Sequence, residues 1–272
     1  MSTRPLALIT GASSGIGVEL AHAFADRGYD LVLLARRRDR LERVAAEAEK
    51  FGATVETFTA DLATPQGLAS AAERVAHGDV RLLVSNAGNA GYAPLKDVSA
   101  TDVEGLWRLN ATAPVTLAHA VLPSLLEKGE GHIVTVASLL AFSAGMRSFR
   151  SANATTPLTM PPRTLYAAAK SATVAFTRTL AHELAGTGVG ATVVCPGRVA
   201  TEWSGGQNQN GSDVMSARDV ATATALAVER GDTVCVPGLA EAEALERLLE
   251  AESALVSEGN RSVLADRYQP GF

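Results

Sequence analysis

Short apolar runs of strand length alternate with stretches of helical spacing along most of this 272-residue chain. That alternation constrains the fold more than any other feature. Strands are expected over 6–10, 30–35, 54–59, 81–85, 131–137, 190–194 and 233–236. Helices are expected over 16–27, 38–51, 66–77, 166–185 and 216–230, with one or two more within 99–126. The 38–51 stretch shows the helical logic: Leu41, Val44, Ala45 and Ala48 fall on one face, arginines and glutamates fall on the other, and Gly52 stops it. Runs such as Leu31-Val32-Leu33-Leu34 are apolar without alternation, as in strands buried on both faces. Such strands belong to a parallel sheet covered by helices on each side, and right-handed crossovers make it doubly wound. The fold class is therefore α/β, a Rossmann-type parallel sheet of about seven strands. With no repeat or linker in view, residues 1–240 read as one domain and 241–272 as its helical extension, an interface or lid element.

Composition removes several function classes. Hydrophobic residues make up 47% and charged residues 19%, which suits a packed core and not a disordered chain. A net charge of −5 offers nothing to nucleic acid. The first apolar run is too short for a secretory signal, and no apolar run reaches the 18 or so residues of a membrane span, so a cytoplasmic chain is expected. Cys195 and Cys235 are too few for a disulfide framework and read as buried thiols. The five histidines show no ligand spacing, so no metal site is expected.

The junction of the first strand and first helix reads Thr10-Gly11-Ala12-Ser13-Ser14-Gly15-Ile16-Gly17. Glycines there allow a tight turn and let a pyrophosphate approach the backbone, while the helix start offers unpaired N–H groups and a positive dipole end. The spacing is G-x-x-x-G-x-G, and its place after strand one gives it weight as a dinucleotide site. The second strand ends Ala35-Arg36-Arg37-Arg38, where an NAD site would place an acid for the ribose 2′-hydroxyl. A carboxylate repels a 2′-phosphate and an arginine fork grips it, so NADP(H) is expected in preference to NAD(H), with Arg36 the main contact and Arg37 beside it.

Tyr166 and Lys170 stand four apart on a helix, which puts phenol and ammonium on one face. A free phenol titrates near pH 10, and a nearby cation lowers that value toward the range useful for acid–base work. Alone, the pair could be two surface residues. Its surroundings argue otherwise: Ser138, Asn86-Ala87-Gly88 and Asp61-Leu62 follow successive strands at the sheet edge where α/β folds bind ligands, and Asn110 precedes the fifth strand.

Taken together, the Thr10–Gly17 loop, Asp61-Leu62, Ser85-Asn86-Ala87-Gly88, Asn110, Ser138, Tyr166 with Lys170, and Pro196-Gly197 with Thr201 closely resemble the short-chain dehydrogenase/reductase family. The resemblance runs over roughly 5–236. It implies Tyr166 as general acid in carbonyl reduction and base in alcohol oxidation, with Ser138 bonding the substrate oxygen. It also implies Lys170 on the nicotinamide ribose and lowering the Tyr166 pKa, and Asn110 holding a water of a proton relay. On the cofactor side it implies Gly11, Ser13, Ser14, Gly15, Ile16 and Gly17 around the pyrophosphate, and Asp61 and Leu62 at the adenine. Asn86, Ala87 and Gly88 would line the cofactor, and Pro196, Gly197, Val199 and Thr201 the nicotinamide end. A small-molecule carbonyl or alcohol substrate and a homodimer or homotetramer follow by the same analogy.

Two features depart from the family pattern. Ser138 and Tyr166 lie 28 positions apart, about twice the usual spacing, so residues 147–160 look inserted. The segment after Thr201 is short and polar where the family often has a helical lid. The insert is therefore expected to cover the pocket in place of that lid, although a passive surface excursion fits the sequence equally well. Phe142, Met146, Phe149, Leu165 and Trp203 are expected to make the pocket apolar. The leading expectation is an NADP(H)-dependent ketoreductase or alcohol dehydrogenase. The alternative is a protein that binds NADP(H) without net redox turnover.

Overall fold

The computed structural model describes residues 4–149, 157–202 and 214–269. Trp203, residues 150–156 of the expected insert and most of the polar segment after Thr201 lie outside the described residues. The chain forms two compact units, Met1–Pro237 and Gly238–Phe272.

The first unit is built on seven parallel strands: β1 (Leu6–Thr10), β2 (Asp30–Ala35), β3 (Val55–Thr59), β4 (Val80–Ser85), β5 (Gly131–Val136), β8 (Val189–Val194) and β11 (Val234–Cys235). Their order across the sheet is β11-β8-β5-β4-β1-β2-β3. The order reverses between β1 and β4, and crevices at such switch points are where doubly wound sheets bind ligands. The helices are α1 (Ile16–Asp26), α2 (Arg38–Ala48), α3 (Pro65–Val75), α4 (Ala100–Trp107), α5 (Ala113–Lys128), α6 (Thr164–Glu183) and α7 (Ala217–Arg230). The expected doubly wound α/β class is what the structure contains.

The apolar strand runs follow from the two covered faces. Successive side chains point to opposite sides. Ile9, Leu31, Leu33, Val84 and Val134 pack with residues of α1, α2 and α7. Leu8, Val32, Leu34, Leu83 and Ile133 pack with residues of α3, α5 and α6. Burying each such side chain contributes roughly 1.5–3 kcal/mol. Taken as one helical stretch, Ala100–Lys128 is long and apolar enough by composition to cross a bilayer, which the sequence reading did not expect. It is a core element here: Leu117, Ala118, Val121 and Leu125 are buried in the α3, α5 and α6 layer. Both cysteines are buried free thiols, and burial pushes Cys195 up to about 12 and Cys235 to about 11.

Three features were not foreseen. The 99–126 stretch is α4 and α5 joined by a single π-turn at Arg108–Thr112. The irregular region after β5 holds a short antiparallel pair, β6 (Ser148–Phe149) with β7 (Leu158–Thr159). A second small sheet pairs β9 (Arg198–Ala200) with β10 (Val214–Ser216) in parallel. The second unit holds α8 (Glu243–Gly259) and a 3-10 turn at Asp266–Tyr268.

One polar side chain in the sheet ties stability to pH. His132 on β5 bonds Thr192 Oγ1 of β8 at 2.8 Å, and that hydroxyl donates to the Asp232 carbonyl at 2.7 Å. Thr192 must therefore accept, which places a proton on Nε2 of the imidazole. Gly190 makes room for it, since a Cβ there would lie 2.4 Å from Nδ1. Burial lowers His132 to about 4. The unfolded chain binds a proton near pH 6.5 and the folded chain does not, so stability is full above 6.5 and falls as pH drops toward 4. The loss is on the order of 3 kcal/mol once both states would be charged. Thermal melts from pH 7 to 4 should fall more steeply in the wild type than in His132→Gln, which keeps a donor for Thr192 and does not titrate. Parallel melting curves would contradict this account.

Candidate active site

A cavity of about 830 Å³ opens along the C-terminal ends of the strands, at the β1/β4 switch point. Thr10 closes β1 and clamps the two halves of the sheet there. Its hydroxyl accepts from the Asn86 and Ala87 amides at 3.0 Å each, and the Asn86 side chain donates to the Thr10 carbonyl at 3.0 Å. The loop that follows depends on its glycines. Gly15 caps α1 with φ +56°, and a Cβ there would meet Thr201 at 2.9 Å. A Cβ on Gly17 would lie 2.2 Å from the Gly11 carbonyl oxygen. Gly11, Ser13, Ser14, Gly15 and Ile16 line the cavity, whereas Gly17 packs behind the loop and does not.

At the end of β2 the arginines divide the work differently from the expectation. Arg37, not Arg36, is docked on the loop: one guanidinium nitrogen donates to Ser13 Oγ at 3.1 Å and Ser14 Oγ at 3.0 Å. Arg36 is 72% exposed and sits 3.9 Å from Asp61. Glu202, which the sequence reading did not single out, reaches the same arginines. Its carboxylate lies 2.6 Å from Arg40 and 3.7 Å from Arg37, and those cations hold it below the usual carboxylate range. Asp61, Leu62, Asn86, Ala87 and Gly88 continue the wall.

The catalytic end is assembled by β5 and α6. Main-chain bonds carry the β5–β8 pairing past the sheet: the Ala137 amide donates to Val194 at 2.7 Å and Leu139 to Pro196 at 2.9 Å. Ser138 is thereby fixed beside Pro196 and Gly197, and its Oγ accepts from the Leu140 amide at 3.1 Å. Lys170 is buried, and its ammonium donates to the Val136 carbonyl at 2.7 Å. A hydroxyl ladder fastens α6 to its neighbours. Thr135 and Thr177 lie 2.7 Å apart, Thr177 donates to the Thr173 carbonyl at 2.9 Å, and Thr173 donates to the Asn110 carbonyl at 2.9 Å. So placed, Tyr166 lines the same cavity as Ser138 and is 5% exposed.

The electrostatics differ from the expectation that Lys170 lowers the Tyr166 pKa. Burial raises the phenol well above its ordinary value, Tyr92 adds to the rise, and the Ser138 hydrogen bond only partly opposes it. The ammonium lies 5.9 Å from the Tyr166 ring centroid and is itself lowered to about 8 by burial. Desolvation thus outweighs the pairing, and Tyr166 is a protonated donor. Tyr92 was missed in the sequence. Its ring meets Tyr166 edge to face, 5.3 Å between centroids at 81°. An aromatic four positions beyond Ala87-Gly88 was the available signal.

Asn110 stands behind the wall. It is fully buried, and its amide donates to the Asn89 carbonyl at 3.0 Å and the Leu106 carbonyl at 3.1 Å, while its oxygen accepts from the Asn89 amide at 3.3 Å. Pro196, Gly197, Val199 and Thr201 line the cavity. Of the expected apolar residues, Phe142, Met146 and Phe149 line it too, whereas Leu165 packs with Leu106, Ala111 and Ala169.

Comparison with known proteins agrees with this geometry. A short chain dehydrogenase family model matches residues 5–211. The 1-deoxy-11-beta-hydroxypentalenate dehydrogenase of Streptomyces exfoliatus is 36% identical over 224 residues, 79% of this chain and 76% of that one. A short-chain dehydrogenase from Sphingobium yanoikuyae, solved in complex with NADPH, is similar with a TM-score of 0.87 at 33% identity, covering 97% of this chain and 100% of its own. The bulky-bulky ketone specific alcohol dehydrogenase from Comamonas testosteroni matches with a TM-score of 0.85 at 29% identity, covering 98% and 99%. The chain belongs to the short-chain dehydrogenase family and is an oxidoreductase of that family.

The burial of Tyr166 has a direct spectroscopic consequence. In the ligand-free chain, the difference in phenolate absorbance between wild type and Tyr166→Phe should stay flat to pH 10. Ser138→Ala, which removes a contribution that lowers the phenol, should push its titration higher still. A Tyr166 phenolate already present near pH 7 would contradict the assignment.

Proposed function

We propose that this chain is an NADP(H)-dependent carbonyl reductase, running in reverse as a secondary alcohol dehydrogenase, for hydrophobic small-molecule ketones. The observation that carries the reading is that Ser138 and Tyr166 line one cavity wall, with the buried phenol held protonated. Two hydroxyls on one carbonyl oxygen stabilise the negative charge that grows there, and the Tyr166 proton completes the alcohol. A phenol kept neutral by burial is the form needed for reduction, which supports that direction.

The residues present fit a nicotinamide dinucleotide. Gly11, Ser13, Ser14, Gly15 and Ile16 line the cavity, the tight turn that puts them there has no room for a Cβ at Gly15 or Gly17, and a helix start so placed suits a diphosphate. Lys170 spends one of its three donors on Val136, which leaves two for ribose hydroxyls among the described residues. Reduced nicotinamide, when bound, supplies the hydride. Arg37, already oriented by Ser13 and Ser14, is the fork for a 2′-phosphate, with Arg36 outside it, and this supports NADP(H) over NAD(H). The NADPH complex of the Sphingobium relative supports the same choice. Asn110 acts as a positioning residue: its main-chain carbonyl accepts from Thr173 and keeps a lone pair for the water of a proton relay toward Lys170.

Leu139, Leu140, Phe142, Met146 and Phe149 give the substrate end an apolar wall. That wall, together with the likeness to the Comamonas enzyme, supports a ketone flanked by two large apolar groups. We further propose a cytoplasmic homo-oligomer; the small exposed residues Ala168, Ala175 and Thr179 on α6 would let another helix approach closely.

Three variants test the reading through NADPH oxidation with a panel of ketones and through NADPH and NADH titrations. Tyr166→Phe should lose about 100- to 10,000-fold in turnover while still binding NADPH. Arg37→Ala should weaken NADPH about 10- to 100-fold and NADH far less, as loss of charge-assisted bonds requires. Glu202→Gln should tighten NADPH a few-fold by releasing Arg37 and Arg40 from a competing carboxylate. Tight NADPH binding with no turnover of any carbonyl would favour the non-redox binding protein instead.

A further inference from the structure

The β6–β7 hairpin and its flanks supply part of the cavity wall. Met146 precedes it, Phe149 lies on β6, Thr159 on β7, and Met160 and Pro161 follow. These residues face the same cavity as Ser138 and Tyr166. Two strand residues on each side are too few to hold such an element in place. The pairing is short, with Ser148 opposite Thr159, and the Met160 amide adds one more bond to the Arg147 carbonyl at 3.0 Å.

Arg163 supplies the missing restraint. It lies just before α6 and does not line the cavity itself. Its Nε donates to Ser143 Oγ at 2.7 Å, and one Nη donates to the Ser143 carbonyl at 2.7 Å and the Met146 carbonyl at 2.8 Å. The other Nη donates to the Pro161 carbonyl at 3.1 Å. One planar guanidinium thus ties the chain entering the hairpin to the chain leaving it. Its own main-chain carbonyl accepts from Ala167 at 2.7 Å, which anchors the clamp on the helix that carries Tyr166 and Lys170. An ammonium has no such fork.

We propose that Arg163 is a specificity-determining positioning residue, which fixes the β6–β7 hairpin as the wall against which the larger group of a bulky ketone packs. The proposal rests on the carbonyl-reductase reading above. On this proposal a small ketone bonded to Ser138 and Tyr166 makes no use of the hairpin, whereas the second ring of a diaryl ketone packs on it. Misplacing the wall should therefore penalise only the large substrate.

The experiment compares wild type, Arg163→Ala and Arg163→Lys on a diaryl ketone and on butanone, with NADPH titration and hydrogen exchange at 146–161. For Arg163→Ala the expected result is a 10- to 100-fold loss in kcat/KM on the diaryl ketone, carried mainly by KM, as misplaced contacts cost. Butanone turnover and NADPH affinity should stay within about twofold of wild type, which also reports an intact fold. Arg163→Lys should recover only part of the loss. The Met160 amide should be protected in the wild type and exchange quickly in Arg163→Ala. Equal losses on both ketones, or unchanged kinetics and exchange, would overturn the proposal. If the wild type reduces neither ketone, the functional reading fails, and exchange alone judges the clamp: retained Met160 protection in Arg163→Ala overturns it, and lost protection supports it.

Discussion

The Lys170 ammonium donates to the Val136 carbonyl across 2.7 Å inside the protein, and the layout of the catalytic end follows from that contact. Burying a cation is costly unless it is bonded, and burial has already drawn Lys170 down to about 8. The bond fixes α6 against the last residue of β5. With that distance set, Tyr166, one helical turn earlier, has to meet Ser138, two residues past the strand end. The Thr135–Thr177–Thr173–Asn110 ladder repeats the restraint with neutral groups. It ends in the π-turn between α4 and α5, and such turns are frequent at functional sites.

Two effects compete at Tyr166, and their balance decides its chemistry. A cation nearby favours phenolate, while loss of water favours phenol. The ammonium already spends a bond on Val136 and lies 5.9 Å from the ring centre, so desolvation prevails in the ligand-free chain. Tyr92, edge to face on the same ring, raises the phenol further through charge repulsion. On the proposed reading, the site is thus set to give a proton before it is set to take one. At the far end of the cavity the cations are less buried than Lys170. Arg37 stands exposed and Arg40 half-buried beside the exposed Glu202, and ion pairs of this sort are weak and easily exchanged for a stronger anion.

Much of this could be read along the chain because it depends on local pattern. The apolar runs at 6–10 and 30–35 became β1 and β2 with the same limits, since side chains buried on both faces leave no polar interruptions. The Tyr166–Lys170 pair was legible because helical spacing alone puts both on one face. What the sequence did not reveal depends on contacts between distant segments. Arg36 and Arg37 are equivalent as letters, and only the position of Ser13 and Ser14 makes Arg37 the docked one. The sign of the Tyr166 shift needed its burial, which no motif reports. The side chain of Asn110 holds Asn89 and Leu106 while its main-chain carbonyl meets Thr173, a division of labour that no motif reports. Short pairings such as β6 with β7 carry too few residues for a period to show, and Leu165 fell on the wrong face of the start of α6.

The central claim is that Ser138 and Tyr166 present their hydroxyls to a substrate oxygen held beside a reduced nicotinamide. Its most direct test is a crystal structure of the full chain with NADPH, measured for the separation between the Tyr166 hydroxyl and C4 of the nicotinamide ring. The account requires the ring to lie along this wall, with both hydroxyls within one small carbonyl group of C4 and the Lys170 ammonium on the adjoining ribose. A dinucleotide bound elsewhere, or a Tyr166 hydroxyl turned away from C4, would contradict it.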